Sequence, residues 1–194
     1  MAKQTGNKPV LTEDANEEEH KPFAVFFKIG EWRHRFTEYQ YKTVIAVALN
    51  NCIQHRALRL VGYIISETDL VMVLHVNKKY INKFLGFFFE EVRNEISKHA
   101  SETESFDIGG YNNDDQVRYL YNLSTLFKKY NIHNDYLERL ITGRRVELRY
   151  DDPHLVRLKQ VVNKADFCSA IDYSGGIGPV RVRLWYDNNV GELQ

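Results

Sequence analysis

Leu60-Val61-Gly62-Tyr63-Ile64-Ile65-Ser66-Glu67-Thr68-Asp69-Leu70-Val71-Met72-Val73-Leu74 is the stretch on which the fold turns. Two apolar, β-branched runs flank a polar Ser-Glu-Thr-Asp turn, the pattern of a β-hairpin with strands over roughly 57–66 and 69–76. Working outward, Phe23 to Ile29 is a short aromatic and β-branched run closed by Gly30, a buried strand. Thr37 followed three residues later by Gln40 resembles a capping box that opens a helix. That helix is expected to reach about Gln54, with Tyr41, Val44, Ile45, Ala48, Leu49 and Cys52 at helical spacing. After the hairpin a second helix is expected from about Lys78. Ile81, Phe84, Leu85, Phe88, Phe89, Val92 and Ile96 form its apolar face, with Glu90, Arg93, Glu95 and Lys98 outward.

The order β-α-β-β-α lacks one strand of a ferredoxin-like sandwich, so the expected class is α+β with an antiparallel sheet. A short strand near Phe106 to Ile108 would supply it. Asp114 to Tyr130 reads as a helix with Val117, Leu120, Ser124 and Phe127 on one face. Tyr136 to Ile141 reads as a short helix stopped by Gly143. Val146 to Tyr150 alternates like an exposed strand, Pro153 to Asn163 is helical, and Val180 to Tyr186 has the period of a strand. The chain thus divides into an acidic, disordered arm over 1–21, a folded domain over 22–130, and a C-terminal extension over 131–194 that packs on or beside it.

The 194 residues are 43% hydrophobic and 13% aromatic, which is a folded composition. Twenty-six basic residues balance 26 acidic ones, so any contact with nucleic acid must come from a local basic face. Cys52 and Cys168 are far apart and form no ligand cluster; buried thiols are expected. The start carries no apolar core segment and no run is long enough to span a membrane, so a cytoplasmic protein without membrane contact is expected.

The hairpin also resembles that of the single-tyrosine HUH transposases, including the REP-associated ones, which typically reads G-Y-V-I-M-P-N-H-U-H-L-L-V with U apolar. The resemblance covers roughly residues 22–130: the aromatic first strand, the helix ending in Asn51-Cys52-Ile53, Gly62-Tyr63-Ile64-Ile65, and the long helix that follows. It extends to Val117-Arg118-Tyr119-Leu120-Tyr121-Asn122, which looks like the family's R-Y-I-H-x-N-P segment. The resemblance implies a divalent ion held by the two histidines, a tyrosine that attacks the scissile phosphate, and dimers. Tyr119 matches the nucleophile best, with Tyr121 second.

This chain departs from the family where the metal binds. Asp69-Leu70-Val71 stands in place of His-U-His. Residues two apart on a strand share a face, and here that face carries Asp69, Val71, Val73 and His75. Val71 offers no donor, and His75 lies roughly 20 Å from Asp69 by strand rise. Asp69 reads as ordinary turn chemistry, and Leu123 replaces the family's proline. No metal and no cofactor is therefore expected.

The densest basic region is Arg144 and Arg145 with Arg149, Arg157 and Lys159, joined by Arg181 and Arg183 on the last predicted strand. Tyr150, Trp185 and Tyr186 interleave there, as aromatic residues do in single-strand binders; solvated strand faces have the same pattern. Ser174 to Pro179 is glycine-rich, but a strand follows it, which marks a turn and not a phosphate loop.

Three functions follow. The first is an inactive transposase-like protein that binds single-stranded or hairpin DNA through Arg144, Arg145, Arg149, Arg181 and Arg183. The second is a protein-interaction or dimerisation domain without nucleic acid. The third is a divergent nuclease using Tyr119 and Mg²⁺ or Mn²⁺ on Asp69 with Asp114 or Asp115.

Overall fold

The computed structural model describes residues 22–56, 59–104, 126–130, 134–148 and 150–185. The acidic arm, the expected strand at Phe106 to Ile108, Asp114, Asp115, Tyr119, Tyr121, Arg149 and Tyr186 lie outside the described residues. The elements in chain order are β1 (Phe23–Ile29), α1 (Glu38–Arg56), β2 (Leu60–Ile65), β3 (Asp69–Leu74), α2 (Ile81–Glu104), β4 (Phe127–Tyr130), α3 (Asp135–Ile141), α4 (Pro153–Lys164) and α5 (Ala170–Tyr173). The fold is mixed α and β, built on a four-stranded sheet in the order β2-β3-β1-β4 with every neighbouring pair antiparallel.

The hairpin forms where the sequence places it, and Ser66 closes its turn. The Ser66 amide donates to the Asp69 carbonyl at 2.8 Å, and the Asp69 amide donates to Ser66 Oγ at 2.9 Å. A register shift between Leu60 and Gly62 lets Leu60 and Tyr63, three residues apart, pack into the same core. All six residues of β2 are buried. A strand so uniformly apolar needs cover on both faces, and both faces have it.

On one face Val25, Phe27, Leu70, Met72 and Leu74 pack with Val44, Ile45 and Leu49 of α1 and Phe84, Phe88 and Val92 of α2. On the other, Phe26, Val61, Ile64, Val71 and Val73 pack with Ile141 of α3, Val162 of α4 and Cys168. Each fully buried side chain of this kind contributes about 1.5–3 kcal/mol relative to exposure, so the second layer is a core in its own right.

α1 begins with the expected capping box: the Thr37 amide donates to Gln40 Oε1 at 2.9 Å and the Gln40 amide to Thr37 Oγ1 at 3.3 Å. α2 begins at Ile81, after a 3-10 turn over Lys78–Tyr80. Asn51 Nδ2 of α1 donates to Glu91 Oε2 of α2 at 3.1 Å. Glu95 does not face outward as the sequence suggests; it is 7% exposed and pairs with Lys98 one turn on.

Three further expectations are corrected. Phe127 to Tyr130 is strand and not the end of a helix: it pairs with β1 from Ile29↔Phe127 to Phe26↔Tyr130. Phe127 anchors it among Phe27, Phe88 and Phe89, with ring centroids 5.3–5.9 Å away. Residues 181–185 form no strand. Only Arg183 donates to β2, at Leu60 O (2.8 Å), because residues 167–169 already hold the rest of that edge. There Ile65 N donates to Phe167 O at 2.9 Å and Ser169 N to Tyr63 O at 3.0 Å. Residues 144–148 are irregular, not a strand, with Val146 buried.

Cys52 and Cys168 are both free and buried. No helix of the described residues is long and apolar enough to cross a membrane.

Candidate nucleic-acid interface

Asp69 sits at the first position of β3, and its carboxylate is taken up by neighbours. Oδ1 accepts from Tyr130 Oη at 2.9 Å and Oδ2 from Thr68 Oγ1 at 2.6 Å. Burial, with the Asp69 hydrogen bond second, pushes the Tyr130 phenol up to about 12. The turn reading of Asp69 therefore accounts for both of its oxygens. Two residues on, Val71 is cross-strand from Phe26 and Ile64 and is 2% exposed. Ile64 also bridges to Cys168 of the extension. The face on which the HUH pattern would place its second imidazole is thus filled with hydrocarbon. Among the described residues no group of three or more His, Cys, Asp or Glu side chains is placed to hold a metal ion. His75, further along, packs against Trp185 with ring centroids 4.7 Å apart and the planes tilted by 55°.

The basic residues of the extension occupy two places. Arg144 and Arg145 follow α3 immediately. α3 is opened by Asn134, whose side chain accepts from Leu137 N at 3.0 Å. It closes with Gly143 in the left-handed region (φ +70). Gly143 N donates to Leu140 O at 3.3 Å and Arg144 N to Arg139 O at 2.8 Å, the paired bonds of a Schellman ending. A side chain at 143 would also strike the Tyr173 ring, whose nearest atom would be 2.3 Å from a Cβ there. Glycine at this point therefore both reverses the chain and lets the two arginines start beside Tyr173.

α4 faces this segment. Asp152 caps it by accepting from His154 N at 2.9 Å, with Pro153 in the first turn. Lys159 and Asn163 from α4, Arg144, Arg145 and Glu147 from the loop, and Tyr173 from α5 surround a cavity of about 320 Å³. Neither Arg145 nor Lys159 forms an ion pair with a described residue. The lining thus holds Arg145 and Lys159, without such partners, beside one carboxylate, Glu147, in a chain that is neutral overall.

Arg181 and Arg183 lie elsewhere, exposed along the outer edge of β2. Their backbone is fixed by α1 and β2: Arg181 N donates to Asn50 Oδ1 at 2.9 Å, and Asn50 Nδ2 donates to Pro179 O at 2.9 Å. Tyr173 links the two places. Its Oη donates to Val61 O and accepts from Trp185 N, both at 2.8 Å, while its ring walls the cavity. Arg157 is exposed on α4 and does not line the cavity.

The extension is fastened to β2 by Ser169. Its Oγ accepts from Tyr63 N at 2.8 Å and donates towards Tyr63 O and Ile141 O. Tyr63 Oη in turn accepts from Val180 N at 3.2 Å, and burial raises the Tyr63 phenol well above its ordinary range. Burial likewise pushes the Cys168 thiol up to about 11, so it stays protonated and unreactive at neutral pH. Neither Ser169 nor Tyr173 carries a motif; their roles depend in large part on Tyr63 and Val61, more than a hundred residues away in sequence. No family model, curated protein or solved structure matches this chain.

Proposed function

We propose that this chain is a transposase-like, catalytically inactive nucleic-acid-binding protein whose contacts with DNA are made by its C-terminal extension. The observation that carries the reading is the cavity between the α3–α4 loop and α4, whose lining includes Arg144, Arg145 and Lys159. Cations presented on a fixed backbone are what phosphate contacts require. The order β-α-β-β-α-β in the sequence β2-β3-β1-β4 supports a ferredoxin-like core for the described elements. The apolar packing around Val71 supports the loss of metal-dependent nicking. Single-stranded or hairpin DNA is the proposed partner, with Arg181 and Arg183 as a second contact along the β2 edge. The homodimer implied by the family resemblance belongs to the same reading and is testable by sedimentation.

The test is fluorescence anisotropy with labelled hairpin, linear single-stranded and duplex DNA across a salt series. A single strand or hairpin should bind above duplex. Reversing Arg145 and Lys159 together should lower the slope of log affinity against log salt by about 1–2, since each lost phosphate contact removes roughly 0.7–0.9. Affinity and slope unchanged in the double variant would remove the cavity from the interface.

A further inference from the structure

We infer that the cavity is a single-nucleotide site, taking one nucleotide unit of a strand with its phosphate on Arg145 and Lys159. The inference rests on the nucleic-acid reading above and goes beyond it by fixing what enters the cavity. Size is the first argument. About 320 Å³ is at the small end of the roughly 300–1,000 Å³ usual for small-molecule sites, a size that suits one nucleotide.

Chemistry is the second argument. An inorganic anion would use only the cations. Glu147 and Asn163 line the same cavity. The carboxylate of Glu147 is an acceptor only, which matches the exocyclic amine of a base and has no use for a fully ionised phosphate, and the Asn163 amide can both donate and accept. Leu140, Val146 and Val162 add an apolar surface on which a base or sugar can lie. The third argument is preorganisation. The loop is anchored by the bonds that end α3, the Tyr173 wall by its bonds to Val61 and Trp185, and α4 by burial of Val162. A site already held in shape loses little freedom on binding.

Titration calorimetry and amide NMR on the full chain decide it, with a deoxynucleoside monophosphate, the nucleoside and inorganic phosphate as ligands. The monophosphate should bind at least about tenfold more tightly than either fragment, because it alone uses cations and acceptors together. It should shift the amides of residues 143–147 and 159–163. Arg145→Glu and Lys159→Glu should each lower its affinity about tenfold or more. Lys83→Glu, on exposed α2 beneath the opposite face of the sheet, is the control for net charge and should leave it unchanged.

Equal affinity for inorganic phosphate and the monophosphate would overturn the inference in favour of a plain anion site. So would monophosphate binding that the two cavity variants leave intact. If single-stranded DNA binds while the monophosphate does not, the inference fails and the nucleic-acid reading survives. If neither binds, both fail.

Discussion

Ser169 shows how one side chain joins two parts of the molecule. Its hydroxyl satisfies the buried Tyr63 amide and reaches the Ile141 carbonyl, so β2, α3 and the 167–169 segment meet at one atom. Ser169→Ala leaves the Tyr63 N–H buried without its acceptor. It should cost about 1–3 kcal/mol, read as a lower urea midpoint at unchanged slope; an unchanged midpoint would show that the bond contributes nothing. The tyrosines set the alkaline limit. Burial raises the Tyr41 and Tyr130 phenols from 10 to about 12. A raised folded pKa gives stability that is present in full below pH 10 and lost as pH climbs from 10 towards 12. The Cys168 thiol, raised from 9 to about 11, adds a loss that begins near pH 9. Denaturation midpoints should therefore be level up to about pH 8 and fall between about 9 and 12, with phenolate absorbance appearing late; a fall centred below about pH 8 would contradict it. Nothing in the sequence marks Ser169 or Tyr173, because their partners are defined only once the chain has folded. Thr37 and Gln40 were legible because their partners are each other.

Among the elements, the β2–β3 hairpin was the most readable, since a run of apolar residues ended by a polar turn has few alternatives. β4 was not. Phe127 falls at helical spacing with Val117, Leu120 and Ser124, and a four-residue strand is too short to assert its own period against that pattern. Its conformation is decided by the open edge of β1 and by the aromatic cluster that receives Phe127. The alternation over Val180 to Tyr186 reads as a strand, but residues 181–185 form none, because Phe167 to Ser169 occupy most of the β2 edge beside them. The hairpin also offers a test of the proposed loss of metal chemistry. Val71→His restores a histidine to the strand but places it among Phe26, Ile64 and Val73. A polar ring there should cost about 1–3 kcal/mol, and calorimetry should detect no Mn²⁺ binding. A stable variant that binds Mn²⁺ would show that this face can open.

For the described residues, the sheet is packed on both faces across β2, β3 and most of β1, with α1 and α2 on one side and the extension on the other, while Lys28, Lys128 and Lys129 at the β1–β4 end stay exposed. The division at residue 130, natural in the sequence, cuts through a continuous core. A chain ending at 133 should expose Phe26, Val61, Ile64, Val71 and Val73 together. An apolar patch of that kind drives association, so the truncated chain should bind a hydrophobic dye and aggregate; a soluble, cooperatively folding fragment would contradict the layered account. Neutral net charge gives no sign of the proposed interface at this scale, because Arg144, Arg145 and Lys159 are brought to one cavity by the α3–α4 region and not by the bulk composition.

The most direct measurement mixes the full chain with labelled hairpin DNA in heparin, with and without Mn²⁺, and runs it on native and denaturing gels. The account requires a salt-sensitive native shift and an intact, unattached strand after denaturation under both conditions. The absence of a shift above the heparin background, or a covalent adduct that forms only with Mn²⁺, would contradict it.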